Sequence, residues 1–469
     1  MMAVPVFIML SSVALRTLRT LVRSLPAFGA CLLLAGTILG ETDPSVANPS
    51  GALLADRPED PYNLGDFKPE PGTRAMAELL RRLEQKRDVP ENPYANSAKA
   101  EWLEAQANAS RDPSVTLRLE FMLGQELLKA GNEEDALASL YAVFETLYRN
   151  RDQVETASLL DAWKILGMAH LRFGEVQNCL HFHSPDSCVF PIAGDGIHRL
   201  EKGSDAAIKT LEPLLREFPD QIGAKYLLNI AYMTLGRYPE EVPSQFRLPP
   251  GAFASDYDLP RFPEIAGRLG VDTNGLSGGV VMDDLNGDGF LDLVASAYPL
   301  SHPVQFFLSD GDGGYVDHTE AAGLLGIGGG LNLVHADYDN DGDPDILVLR
   351  GGWERSWGRL PNSLLRNDGE AGFTDVTVEA GLYSRYPTQT AAWADFNQDG
   401  HLDLFIGNEA LVTPDPVTGE PFLEDHPCEF YINNGDGTFR EAADAYGLAV
   451  RGYIKGVVWG DVDNDGRID

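Results

Sequence analysis

The pattern Asp-x-Asp/Asn-x-Asp-Gly-x-x-Asp recurs four times in the C-terminal half of the chain. The copies are Asp284-Asn286-Asp288-Gly289-Asp292, Asp337-Asp339-Asp341-Gly342-Asp345, Asp395-Asn397-Asp399-Gly400-Asp403 and Asp461-Asp463-Asp465-Gly466-Asp469. Each is a ladder of carboxylates within a nine-residue loop. Positions 1, 3 and 5 can converge on one centre, the Gly permits a sharp turn, and the acid at position 9 closes the far side. A carbonyl and water would complete the roughly six to eight oxygens that Ca2+ takes. An EF-hand shares the opening of this motif but needs a Glu at loop position 12 and a helix on each flank. Position 12 here is Ala295, Val348 and Ile406 in the first three loops, and short apolar runs such as Ile346-Leu347-Val348-Leu349 follow, which predict strands. Asp, Asn and Gly are also ordinary turn residues, so a single copy would be ambiguous. Four copies with the same acidic positions are not explained that way.

The repeat extends beyond the loop. An aromatic residue opens each unit at Phe262, Tyr315, Phe373 and Phe439, and the first Asp of the loop follows 22 residues later every time. From that Asp to the next aromatic the distance is 31, 36 and 44 residues, so all insertion falls on one side of the unit. The variable part ends in Gly-rich turns, at Asp310-Gly311-Asp312-Gly313, Asn367-Asp368-Gly369 and Asn434-Gly435-Asp436-Gly437. A rigid half and a variable half are what a repeated antiparallel sheet with free loops on one edge would show, and the strand content predicts propeller blades.

These units resemble FG-GAP or VCBS repeats of integrin-α-type β-propellers, and in particular the bacterial relatives of cartilage acidic protein. The features that carry the resemblance are Asn434-Gly435-Asp436-Gly437-Thr438-Phe439, Ala380-Gly381-Leu382 and the loop Asp395 to Asp403, and it covers about residues 246–469. It implies Ca2+ in the outer hairpin of each blade and a surface for binding or adhesion, with no catalytic centre in the propeller. It also implies about seven blades and a C-terminal ASPIC/UnbV segment. The chain offers three full loop-to-strand units and a fourth loop ending at Asp469, and so reads as C-terminally truncated.

The net charge of −35 speaks against a nucleic-acid partner, because nothing offsets phosphate repulsion; it suits bound cations and a protein or cell-surface ligand. Residues 1–40 read as a signal peptide or membrane anchor, with Arg16, Arg19 and Arg23 ahead of an apolar run from Leu25 to Gly40. The expectation is export to periplasm, envelope or extracellular space, with the membrane reached only through that N-terminal segment. Residues 41–100 are Pro-rich and read mainly as linker around one helix near Ala75 to Arg87.

Residues 101–245 turn helical. Leu123-Gly124-Leu127-Gly131-Ala136, Trp163-Leu166-Gly167-His170-Gly174 and Leu228-Tyr232-Gly236 fit tetratricopeptide-like units, with Gly167 and Ala207 where paired helices approach. A generic helical bundle is the competing reading. An insertion at about 175–203 splits the second unit and carries Cys179, Cys188, His181, His183 and His198. Export favours a Cys179–Cys188 disulfide; transition-metal ligation and plain packing are the alternatives, since thiolate and imidazole are zinc ligands but this spacing misses the familiar short pairs. Cys428 stands alone. No Walker loop or His-Glu-x-x-His occurs. The fold class expected is multidomain α + β, tetratricopeptide-like helical repeats followed by an incomplete integrin-α-type β-propeller. Its function is a non-catalytic calcium-binding scaffold, with an enzyme or redox centre in the Cys/His insertion or a missing C-terminal part as the alternative.

Overall fold

A computed structural model describes residues 71–86, 94–184, 186–187, 189–254, 257, 262–273, 275–354, 358–414, 421–424 and 426–469. Residues 1–40, for which a signal or anchor is expected, and Cys188 lie outside these residues. Among them no helix is long and apolar enough to cross a membrane. They form two compact units: a helical unit up to residue 264, and a β unit made of residues 265–469 together with the segment containing 71–86.

Within the linker expected over 41–100, the helix expected near Ala75 to Arg87 is present, but it belongs to a core. Residues Thr73–Lys86 form helix α1, whose Met76, Leu79, Leu80 and Leu83 are fully buried at i, i+3, i+4 and i+7 spacing. They join one core cluster with Phe306, Leu324, Ile327, Leu360 and Phe373 of the β unit. Each such side chain contributes about 1.5–3 kcal/mol on full burial, so the helix is a core element of that unit.

In the helical unit, α2 (Asn96–Ala109), α3 (Pro113–Lys129), α4 (Glu133–Arg149), α5 (Thr156–Phe182), α6 (Lys202–Glu217) and α7 (Ile222–Thr234) pack in sequence order, each on the next. Asp112 caps α3 by accepting from the Ser114 and Val115 amides, with Pro113 at the first helical position. Small residues set the helix spacing as the sequence suggests. A Cβ on Gly167 would lie 2.4 Å from Leu211 Cδ2, one on Gly124 2.7 Å from Leu140, and Ala207 is fully buried. The helix α5 runs on to Phe182, so Asn178, Cys179 and His181 lie on a helix and not in a loop. Phe246, expected to lie in the propeller, is instead buried in this unit's core with Leu228.

Among the described residues the β unit holds three four-stranded antiparallel meanders. The first is β1 (Ser277–Asp283), β2 (Asp292–Ala297), β3 (Gln305–Ser309) and β4 (Tyr315–Asp317). The second is β5 (Asn332–Ala336), β6 (Asp345–Leu349), β7 (Ser363–Asn367) and β8 (Phe373–Asp375). The third is β9 (Thr388–Ala394), β10 (Asp403–Asn408), β13 (Glu429–Asn433) and β14 (Phe439–Glu441), with a β11 (Leu411–Pro414) and β12 (Pro421–Glu424) hairpin between its second and third strands.

The aromatics Tyr315, Phe373 and Phe439 each begin the last strand of a sheet, whereas Phe262 lies in coil and is exposed. The 22-residue spacing therefore spans the crossing from one sheet to the first strand of the next. The variable spacing spans the connection between second and third strands, where β11 and β12 are the longest insertion.

The middle sheet is covered on both sides. Along β6, Ile346 and Val348 face one cluster with Val294 and Phe306, while Leu347 and Leu349 face another with Leu404 and Ile406. A strand with two buried faces needs an unbroken apolar run, which explains Ile346-Leu347-Val348-Leu349 where β2 alternates.

Candidate cation-binding loops

Each of the first three acidic loops joins the first strand of a sheet to its second, and the backbone shows why these residue types recur in all four. The Gly at position 6 sits at positive φ in every loop, from 84° at Gly466 to 100° at Gly342. Position 4 does too, which the sequence reading missed: Gly287 is at 71°, Asn340 at 61°, Gln398 at 59° and Asn464 at 60°. Asn and Gly tolerate this region best, so their presence at three of four copies was a readable signal.

The position 1 carboxylate turns back on its own loop. In the second loop Asp337 accepts from the Asp341 amide at 3.1 Å and the Gly342 amide at 3.0 Å; Asp284, Asp395 and Asp461 repeat this arrangement. At position 3, Asn286 and Asn397 each donate from Nδ2 to the acid at position 5, Asp288 and Asp399. The position 9 acid is the anchor. Asp292, Asp345 and Asp403 are buried and accept from the amide at position 2 and from the last residue of the third strand, as when Asp345 accepts from Tyr338 and Asn367. Ser309 and Asn433 supply the second bond for Asp292 and Asp403. In the fourth loop Asp469 accepts from the Val462 amide.

Carboxylate oxygens of Asp337, Asp339 and Asp345 lie within 4.8 Å of one another, as do those of Asp461, Asp463 and Asp469. The structure thus brings positions 1, 3 and 9 together in the two all-Asp loops; Asp341 and Asp465 stand outside these trios. Burial pushes Asp345 up to about 8, with Asp339 and Asp341 adding repulsion. Asp292 and Asp403 are also raised by burial, and Asp339 by burial and the charges of Asp341 and Asp337. Asp339 Oδ1 is enclosed and accepts no hydrogen bond among the described residues. Hard oxygen donors crowded at this distance, one of them without a donor, fit a divalent cation such as Ca2+.

Two asparagines that the sequence reading did not single out as site residues bind successive loops together. Asn367 Nδ2 donates to Leu285 O of the first loop and to Pro344 O of the second. Asn433 Nδ2 repeats this with Tyr338 O and Leu402 O.

The Cys/His stretch behaves differently. Asn178, not a cysteine, organises it: Oδ1 accepts from the Arg199 and Leu200 amides, while Nδ2 donates to Gly174 O and Leu200 O. His198 Nδ1 pairs with Ser204 Oγ at 3.0 Å. His181 and His183 are exposed. Among the described residues, Cys179 and these histidines do not gather into a three-ligand cluster.

At the opposite ends of the strands, the connections carry a second polar cluster. Glu409 is fully buried; it accepts from the Trp353 amide at 2.8 Å and from Lys455 Nζ, which also donates to Gln389 Oε1 and lies 3.7 Å from the Tyr453 ring centroid. Trp353 takes a φ of 71° to do this.

Residues 284–348 and 419–469 match the model of the FG-GAP-like repeat. The chain is also similar to cartilage acidic protein 1 of Xenopus tropicalis, at 26% identity over 214 residues, which cover 43% of this chain and 27% of that relative. The chain thus matches about a quarter of the length of this curated relative. It carries FG-GAP-like repeats built as successive antiparallel sheets after a helical N-terminal region.

Proposed function

We propose that this chain is an exported, non-catalytic binding scaffold whose β unit is held in shape by Ca2+ in the loops 284–292, 337–345, 395–403 and 461–469. The observation that carries the reading is the second loop, where three carboxylates converge and Asp339 Oδ1 lacks a donor. Bound there, Ca2+ supplies charge neutralisation and an oxygen coordination shell. The residues of the chain do the rest. Asp345, and by the same bonds Asp292 and Asp403, ties the loop to the third strand. For an exported module of this kind the expected affinity is roughly 10⁻⁴ to 10⁻³ M. Sheets with loops of unequal length at one end and a stack of helical hairpins both supply surfaces for a protein or cell-surface partner, and the tetratricopeptide-like reading of the helices belongs with that role.

Calorimetric titration and thermal melting of the whole chain test the reading. Calcium is expected to raise the melting temperature of the β unit and chelator to reverse it, since a ligand that binds only the folded form stabilises it. Asp339→Ala is expected to weaken the second loop at least tenfold, while Asp343→Ala at position 7, which offers only its backbone carbonyl, leaves it unchanged. A melting curve indifferent to chelation would rule out structural calcium.

A further inference from the structure

We propose that Asn340 and Gln398 are positioning residues that couple each cation loop to the next, so that the loops fill as a linked row. The inference rests on the calcium reading above and goes beyond it, from separate sites to their interaction.

Both residues occupy position 4 of a loop, at φ of 61° and 59°, a conformation that turns the side chain out of its own loop. Asn340 Nδ2 reaches Gly400 O of the third loop at 3.0 Å, and lies 3.1 Å from His401 Nδ1. Gln398 Nε2 reaches Gly466 O of the fourth loop at 2.8 Å. In both cases the acceptor is the carbonyl of position 6, in the peptide unit that leads into position 7. Position 7, His401 or Arg467, is the residue whose backbone carbonyl is the remaining protein donor. Fixing the preceding peptide plane restricts the rotation available to that carbonyl. A tie also runs backwards. Asn433 donates from its amide N–H to the position 9 acid Asp403 and from its side chain to Tyr338 O, position 2 of the second loop. The second and third loops are therefore joined in both directions.

The first loop differs. Position 4 there is Gly287, which has no side chain to send to the second loop, leaving only the backward tie from Asn367 to Leu285 O. The chain thus contains its own comparison between a loop with the forward tie and one without.

Coupling follows from the cost of ordering. An acidic loop without its cation is loosened by repulsion among its carboxylates. A cation in the third loop orders Gly400 O, and Asn340 with it, so the second loop needs less ordering when its own cation arrives. The same link works in reverse with equal strength, because coupling free energies are reciprocal.

Hydrogen exchange of residues 337–345 in the full chain, followed against calcium concentration, reads the second loop alone. The Asp341 and Gly342 amides are bonded to Asp337 and report its order. Asp399→Ala disables the third loop; it is expected to raise the calcium midpoint for protection of 337–345 about fivefold. Asn340→Gly imports the residue of the first loop and keeps the positive φ available, removing only the amide. In that background, with only the backward tie through Asn433 left, Asp399→Ala is expected to shift the midpoint of 337–345 less than about twofold. Gln398→Gly, read at 395–403 with Asp461→Ala, should repeat the result. If Asp399→Ala shifts the second loop equally with Asn340 and with Gly, or shifts it in neither, the coupling is overturned while calcium binding stands. Absence of calcium-dependent protection at every loop would overturn calcium binding itself, and the coupling with it. Should Asp399→Ala fail to fold, Asp399→Asn gives the same comparison.

Discussion

Asn433 at the end of β13 donates a hydrogen bond of 2.9 Å to the carbonyl of Tyr338, 95 residues earlier, in the acidic loop of the preceding sheet. The same amide group bonds Leu402 O at 3.1 Å, so one side chain satisfies two carbonyls at the seam between sheets. Removing a partner from buried acceptors costs their desolvation, about 1–3 kcal/mol. Asn433→Ala is expected to lower stability by that amount in urea unfolding. Asn434→Ala, one residue on and exposed, removes only a bond to Thr438 Oγ1 and is expected to stay within about 0.5 kcal/mol of the parent. Equal losses would mean that Asn433 does not act as the tie between sheets.

Gly167 of α5 packs directly against the Leu211 side chain of α6, where a Cβ on Gly167 would lie 2.4 Å from Leu211 Cδ2. Gly167→Leu is expected to overpack the pair and cost about 1–3 kcal/mol. Gly223 in α7 has nothing within 4 Å of its missing Cβ, so Gly223→Ala is expected to be neutral or to stabilise by up to about 1 kcal/mol. Circular dichroism during thermal melting separates the two.

The sequence was most legible where one residue type serves one local purpose. The acidic loops, the strands after them and the Gly-rich turns repeat with fixed spacing because each is a short-range device: Asp337 bonds amides four and five residues on. What escaped was long-range. Nothing in Asn367 or Asn433 announces a partner more than eighty residues away. The role of α1 was hidden for the same reason. Its apolar spacing reads as a helix, but only the grooves beside Leu324 and Phe373 reveal which unit it serves. The extent of α5 was obscured by chemistry. Cysteine and histidine over 179–183 read as part of an insertion with a disulfide or metal ligands, while the backbone continues helical to Phe182.

Because Leu83 of α1 is fully buried in the β unit's core, the stability of that unit depends on residues almost two hundred positions before its first strand. Leu83→Ala is expected to cost about 2–5 kcal/mol. The loss should appear as faster hydrogen exchange in β6 and β7, whose Ile346, Val348 and Leu365 share the cluster, with little change in α5 to α7. Unchanged exchange in β6 would remove α1 from the β unit's core.

His170 gives the helical unit a pH dependence with a definite sign. Its ring on α5 is buried, with Nε2 2.6 Å from the Tyr141 hydroxyl of α4, and burial pulls its pKa down to about 4 from an ordinary 6.5. The unfolded chain takes up a proton near pH 6.5 that the folded chain refuses until about pH 4. Stability from the neutral imidazole is therefore complete above pH 6.5 and is lost as pH falls from there towards 4. At pH 5 the loss amounts to about 2 kcal/mol, taking about 1.4 kcal/mol per pKa unit. Urea unfolding followed by far-ultraviolet circular dichroism, which the helices dominate, is expected to show the parent losing that much more than His170→Gln between about pH 7 and pH 5. If both proteins weaken equally over this interval, the proton uptake that destabilises the helices in acid occurs elsewhere, and His170 contributes only its bond to Tyr141.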